Sequence, residues 1–170
     1  MPSIHVTPLS RLHETVAASR ASHVVTLINA ATTVPCPPGI AADRHLFIGV
    51  SDIVDPQDGH IVPAKVHVEQ LLAFARAWDR GQPMVIHCWA GISRSTAGAF
   101  ISLCALQPDR DEMELAATLR RASPSATPNS RLVAVADDIL RRDGRMREAV
   151  AAIGRGADAF EGTPFALPVT

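Results

Sequence analysis

Three cysteines in 170 residues, Cys36, Cys88 and Cys104, are too few for a disulfide framework. The seven histidines are scattered, and no HxxxH or CxxC cluster is present, so no metal site is expected. A formal net charge of −1 builds no basic face, which argues against a nucleic-acid partner. No apolar run approaches the length of a membrane span, and no membrane partner is expected. The opening residues, Met1 to Val6, lack the charged-then-apolar plan of a signal peptide, so a cytoplasmic location is expected. Neither an internal repeat nor a domain linker can be found. What is present is 47% hydrophobic residues, enough for a real core and too many for wholesale disorder. One domain is expected over 1–153, followed by a Gly-, Ala- and Pro-rich tail, 154–170, that reads as loosely ordered.

Along the chain, Ser3 to Val6 reads as a strand and Pro8 to Arg20 as a helix. The β-branched run His23 to Asn29 and the run Arg44 to Val50 are strands, apolar without alternation, as in a sheet covered on both faces. Ser51 to Pro63 is a polar loop holding Asp52, Asp55 and Asp58. Helical spacing of Val68, Leu71, Leu72, Ala75 and Trp78 predicts a helix over 64–80. The second half is helical: Ser95 to Leu106, Asp111 to Arg121, Arg131 to Arg142 behind a cap at Asn129 or Ser130, and Arg145 to Ile153. Asp137 and Asp138 are expected to face solvent or pair with Arg141. The pattern is α/β: a central, mostly parallel sheet flanked by helices, with a helical C-terminal half.

The chemistry concentrates at His87-Cys88-Trp89-Ala90-Gly91-Ile92-Ser93-Arg94-Ser95. A short buried strand, Pro83 to Ile86, leads in and an Ala- and Leu-rich helix leads out. Helix N-termini carry unpaired N–H groups and partial positive charge, which favour an anion and stabilise a thiolate. A five-residue loop can curl so that the N–H groups of Trp89, Ala90, Gly91, Ile92, Ser93 and Arg94 point inward as an anion nest. Gly91 permits the bend. Arg94 can grip two oxygens of a phosphate with its planar fork. Cys88 lies at the bottom, aimed at phosphorus. His87 can orient the loop, and Ser95 can donate a hydrogen bond to the sulfur.

His-Cys, five residues, Arg-Ser resembles the HCX5R signature of the cysteine-dependent protein tyrosine phosphatases. HCWAGISRS is most similar to the dual-specificity branch, in particular its small bacterial members, and the likeness extends over 44–140. The resemblance implies the same fold and a protein phosphatase acting on phosphotyrosine, and on phosphoserine or phosphothreonine, through a phosphocysteine intermediate. It implies catalytic roles for Cys88, Arg94, Ser95, His87 and an upstream aspartate, phosphate binding by Trp89 to Arg94, and no metal or organic cofactor. Its partners would be phosphorylated proteins or peptides, with phosphate or another oxyanion in the loop. Asp52 is preferred as the acid because it directly follows the strand ending at Val50; Asp55 is the alternative. Asn129 either braces the motif loop or only caps a helix. The family's aromatic clamp for phosphotyrosine is not recognisable, and the chain has no tyrosine. Two other readings stay open: a phosphate-binding pseudophosphatase, and a phosphoinositide-type phosphatase. The latter is disfavoured by the uncharged residues between Cys88 and Arg94.

Overall fold

A five-stranded sheet in the order β3-β2-β4-β1-β5 forms the centre of the computed structural model, which describes all residues from Met1 to Thr170. The strands are β1 (Ser3–Pro8), β2 (His23–Ile28), β3 (His45–Gly49), β4 (Met84–Cys88) and β5 (Phe165–Pro168). The first four are mutually parallel, and β5 runs antiparallel along the outer edge of β1. The helices are α1 (Leu12–Ser19), α2 (Lys65–Ala77), α3 (Arg94–Leu106), α4 (Glu112–Ala122), α5 (Ser130–Leu140) and α6 (Arg145–Ile153). The α/β architecture with a helical second half is the one expected from the sequence.

Alternate side chains of the inner strands feed two apolar clusters, as the two-residue period of a strand requires. Val24 and Val85 join Leu12 and Val16 of α1 on one face. Val25, Leu27 and Ile86 point the other way, into the larger core with α2 to α6. Every residue of β2 is buried, which is why its sequence does not alternate. Helix α3 is the axis of the larger core: all of it except Ala105 is buried. Trp78 packs in the core with its Nε1–H donating to the Gln82 carbonyl at 2.8 Å, and Cys104, fully buried, has its thiol pushed up to about 12 by desolvation.

Behind α3 the helical group is tied by charge as well as packing. Glu112, almost fully buried, accepts from Arg142 at 2.9 Å and from Arg145 at 3.2 Å. Arg142 also donates to the Cys104 carbonyl at 2.9 Å, so α3, α4, the turn after α5 and the start of α6 share one network. Asp137 departs from the expectation of a solvent-facing residue: it is 1% exposed and accepts from the backbone N–H groups of Gly144 and Met146, both at 2.8 Å. Its carboxylate caps the start of α6, where the unpaired amides of a helix N-terminus need an acceptor. Asp138 faces solvent as expected, and its exposed carboxylate pairs with Arg147.

The C-terminal segment also differs from expectation. Gly, Ala and Pro content suggested a loose tail over 154–170, yet Phe165–Pro168 is the fifth strand. Leu167 and Val169 are buried to 0% and 1% exposure in the larger core, and this burial holds a segment whose composition alone would not. Leu167→Ala should therefore lower stability by about 2–5 kcal/mol, the range for emptying a buried leucine site. Urea denaturation checks this; a loss near zero would mean that the strand does not hold to the sheet.

Candidate active site

All four parallel strands deliver their C-terminal ends to one edge of the sheet, where ligands bind in open α/β folds. The motif loop sits there, between Cys88 at the end of β4 and Arg94 at the start of α3. Gly91 has φ +70°, and its α-carbon lies so close to β1 that a Cβ would stand 2.7 Å from the Pro8 nitrogen. Any larger residue would be both strained and obstructed. Around the outside of the loop, each of five carbonyls is taken by a donor. His87 Nδ1–H donates to the Cys88 carbonyl at 3.1 Å, and Leu9 N–H to Trp89 at 3.1 Å. Gly162 N–H donates to Ala90 at 2.7 Å, Thr127 N–H to Ile92 at 2.9 Å and Asn129 N–H to Ser93 at 3.2 Å. With the carbonyls held outward, amides are left to face inward: Gly91 N–H points at Cys88 Sγ, 3.2 Å away. Ser95 Oγ lies 3.1 Å from the same sulfur.

Arg94 is 6% exposed, and its guanidinium is fixed by β2 and β3. One Nη donates to the side-chain oxygen of Asn29, which follows β2, and to the Val50 carbonyl, which follows β3. The Nε–H is buried and has no protein partner. An unmet buried donor costs about 1–3 kcal/mol, more when charged, so an acceptor in the loop would be bound with that much to gain. The donor set, an arginine N–H and inward amides at a helix N-terminus, fits a tetrahedral oxyanion.

His87 lies under the loop, fully buried. Desolvation pushes its imidazole down to about 4, with the nearby His45 and Arg94 charges acting the same way and the bond to the Cys88 carbonyl opposing. The ring is therefore neutral, and its donor and acceptor roles follow. Nδ1 must donate to the carbonyl, so Nε2 accepts from Thr26 Oγ1 at 2.7 Å. Thr26, its one proton committed, accepts from His45 Nε2 at 2.8 Å.

Of the three loop aspartates, only Asp52 reaches the cleft above the motif. Its Oδ1 accepts from Ser93 Oγ at 2.7 Å and from Asn129 Nδ2 at 2.9 Å. Asn129 serves both purposes open in the sequence: its backbone N–H braces the motif loop at the Ser93 carbonyl and its Oδ1 caps α5 by accepting from Arg131 N–H and Leu132 N–H, while its amide nitrogen additionally holds Asp52 and the Ile53 carbonyl. Arg131 adds bonds to the Val54 and Pro63 carbonyls, so the aspartate loop is braced from α5.

The cleft, of ≈ 730 Å³, is walled by the motif residues Trp89, Ala90, Ile92 and Ser93, with Cys88 and Arg94 at its base. Ser95 and His87 lie beneath it, fully buried. Four further contributors have no clear mark in the sequence. Asn29 was legible in principle, as the polar residue ending the strand beside the motif strand. Thr26 was hidden in an apolar run. Ala159 and Phe160 of the C-terminal segment also line the cleft, and no local pattern marks them.

No protein-family model matches the sequence, and no curated protein does. Solved structures match its fold. DUSP15 superposes with a TM-score of 0.66 at 17% identity, covering 90% of this chain and 91% of its own. Human DUSP28 gives 0.61 at 20% identity, covering 89% and 96%. PTPMT1 in complex with PI(5)P gives 0.60 at 16% identity, covering 88% and 91%. The chain has the fold of the dual-specificity phosphatases.

The neutral His87 carries a pH dependence of stability. Its folded value, about 4, lies below its ordinary 6.5, so the unfolded chain binds the extra proton first. The contribution is complete above pH 6.5 and is lost as pH falls toward 4, at up to about 1.4 kcal/mol per pH unit. Burial also lowers His5, His23, His45 and His67, so the comparison with His87→Gln isolates the one residue. Urea titrations from pH 7 to pH 4 should show a shallower slope for the variant, and equal slopes would assign the effect elsewhere.

Proposed function

We propose that this protein is a cysteine-dependent phosphomonoesterase that hydrolyses phosphotyrosine, and also phosphoserine or phosphothreonine, in proteins or peptides. The observation that carries the reading is the pairing of Cys88 Sγ, beneath an inward amide, with a buried Arg94 Nε–H that no protein group satisfies. The fold of the dual-specificity phosphatases supports it. A cytoplasmic location goes with it, because a working thiolate needs a reducing compartment.

In this reading Cys88 thiolate attacks phosphorus as the bond from phosphorus to the leaving oxygen breaks. Asp52, as the carboxylic acid, passes its proton to that oxygen. Arg94 and the loop amides bind the three equatorial oxygens, and the amides need no rearrangement because the carbonyls behind them are already paired. Water then attacks the phosphocysteine, giving a proton to Asp52 and releasing inorganic phosphate. Ser95 Oγ, 3.1 Å from the sulfur, donates to the thiolate as it leaves.

The cleft favours one phosphate per ligand. Arg94 is the single cationic side chain lining it, and Trp89, Ala90 and Ile92 form an uncharged rim. A polyphosphorylated inositol ring calls for further cations around the nest.

An aryl phosphate assay should show turnover that a chelator leaves unchanged. Cys88→Ser should abolish turnover while retaining phosphate binding, since the nest and Arg94 persist. Arg94→Lys should also be severely impaired, because an ammonium cannot make the two-pronged contact. Appreciable turnover by Cys88→Ser would remove the nucleophile and with it the mechanism. Asp52→Asn should lose about 10²–10⁴ in rate on substrates with poor leaving groups and far less on an activated aryl phosphate. The same pattern in Asp55→Asn alone would transfer the acid role. A phosphotyrosine peptide should give a higher kcat/KM than a soluble phosphoinositide; the reverse order would overturn the substrate assignment.

A further inference from the structure

The motif loop has a neighbour that the phosphatase chemistry does not require. After α6 the chain crosses the rim of the cleft before joining the sheet as β5, and this crossing segment is tied down at both ends. At the near end, Gly156 N–H donates to Thr127 Oγ1 at 3.0 Å and Ala157 N–H to the Pro124 carbonyl at 2.9 Å. At the far end, Gly162 N–H donates to the Ala90 carbonyl of the motif loop at 2.7 Å. Glu161 accepts from Ser10 Oγ through both carboxylate oxygens, at 3.0 and 2.8 Å. Gly162 packs so closely that a Cβ would lie 2.8 Å from the Gly91 carbonyl oxygen, a contact that only glycine avoids. The stretch between, Asp158 to Glu161, is a short arch of fixed ends.

This arch presents Phe160 with 93% of its surface exposed. Three aromatic side chains of the molecule are exposed, Phe47, Trp89 and Phe160, and the last two line the same cleft. A phenylalanine left in water forgoes the stabilisation of burial, and here the backbone anchors, not apolar contacts, determine where it stands. Two uncovered aromatic rings beside a phosphate nest offer a face or edge to the group that carries the phosphate.

We propose that the segment from Ala157 to Gly162 is a substrate-recognition strap and that Phe160, with Trp89, binds the aromatic group of an aryl phosphomonoester. The proposal rests on the phosphatase reading above and assigns its specificity to a C-terminal residue outside the motif. Phe160 acts on the ring and not on the phosphate, so it separates aryl phosphates from inorganic phosphate.

The test uses the full chain carrying Cys88→Ser, so that bound esters are not turned over. Calorimetric titrations with inorganic phosphate, phenyl phosphate and 2-naphthyl phosphate give the preference for an aryl group. That preference should fall by about 2- to 10-fold in Phe160→Ala, the size of one aromatic contact, with inorganic phosphate affinity unchanged. Phe160→Trp should retain it. An exposed side chain leaves the core intact when removed, so a folding defect is not expected. An unchanged aryl preference in Phe160→Ala would overturn the strap's role, as would an equal loss for inorganic phosphate, which would make the strap a support of the loop. Failure of the Cys88→Ser parent to bind any phosphate would overturn the phosphatase reading together with this one, whereas the first two results would overturn the strap alone.

Discussion

A peptide group carries its donor and its acceptor on opposite sides, so a loop that turns its N–H groups inward must turn its carbonyls outward. In this molecule the outward carbonyls are met one by one, and from distant parts of the chain. Leu9 comes from the end of β1, Thr127 and Asn129 from the approach to α5, Gly162 from the segment before β5, and His87 from beneath. Thr96 adds a second donor to Ile92 and Ser93 from within α3. The nest is thus held in shape by bonds on its outer surface that come from segments far apart in the chain.

The side chains of the site are fixed in the same manner. Arg94 is held by Asn29 and Val50, at the ends of two neighbouring strands, which leaves its remaining donors no freedom to wander. Asp52 is joined to the motif loop through Ser93 and to α5 through Asn129, so its carboxylate and the nest share a frame. His87 stays neutral because charging a fully buried ring is unfavourable, and neutrality is what lets it donate to Cys88 and accept from Thr26 at once. Such preorganisation would serve the proposed reaction, because dipoles already aimed at a developing charge need no reorientation.

Much of this was legible in the sequence, for reasons that can be named. The motif strand and helix announced themselves because buried elements have unbroken apolar runs, and the spacing from Cys88 to Arg94 is local. Asp52 could be preferred to Asp55 because a residue at a strand end inherits the strand's position. Asn129 is ambiguous in sequence because capping uses its side chain and bracing the motif loop uses its backbone N–H, and it does both. Asp137 is not legible in sequence, since nothing local distinguishes a solvated aspartate from one capping the next helix. The strand at Phe165–Pro168 was missed because four residues bracketed by prolines carry too little periodicity, and only burial of Leu167 and Val169 reveals it.

Those same prolines have a bearing on how copies of the molecule meet. A sheet edge with free N–H groups is a template for another chain's strand. Without β5, that edge would be β1, six residues beside the motif strand. β5 covers it with a four-residue strand that follows Pro164 and ends at Pro168, neither of which has an N–H to offer. The closing segment thus replaces a long sheet edge with one too short and too poor in donors to serve as a good template for a further strand, which protects this side of the sheet against edge-to-edge aggregation.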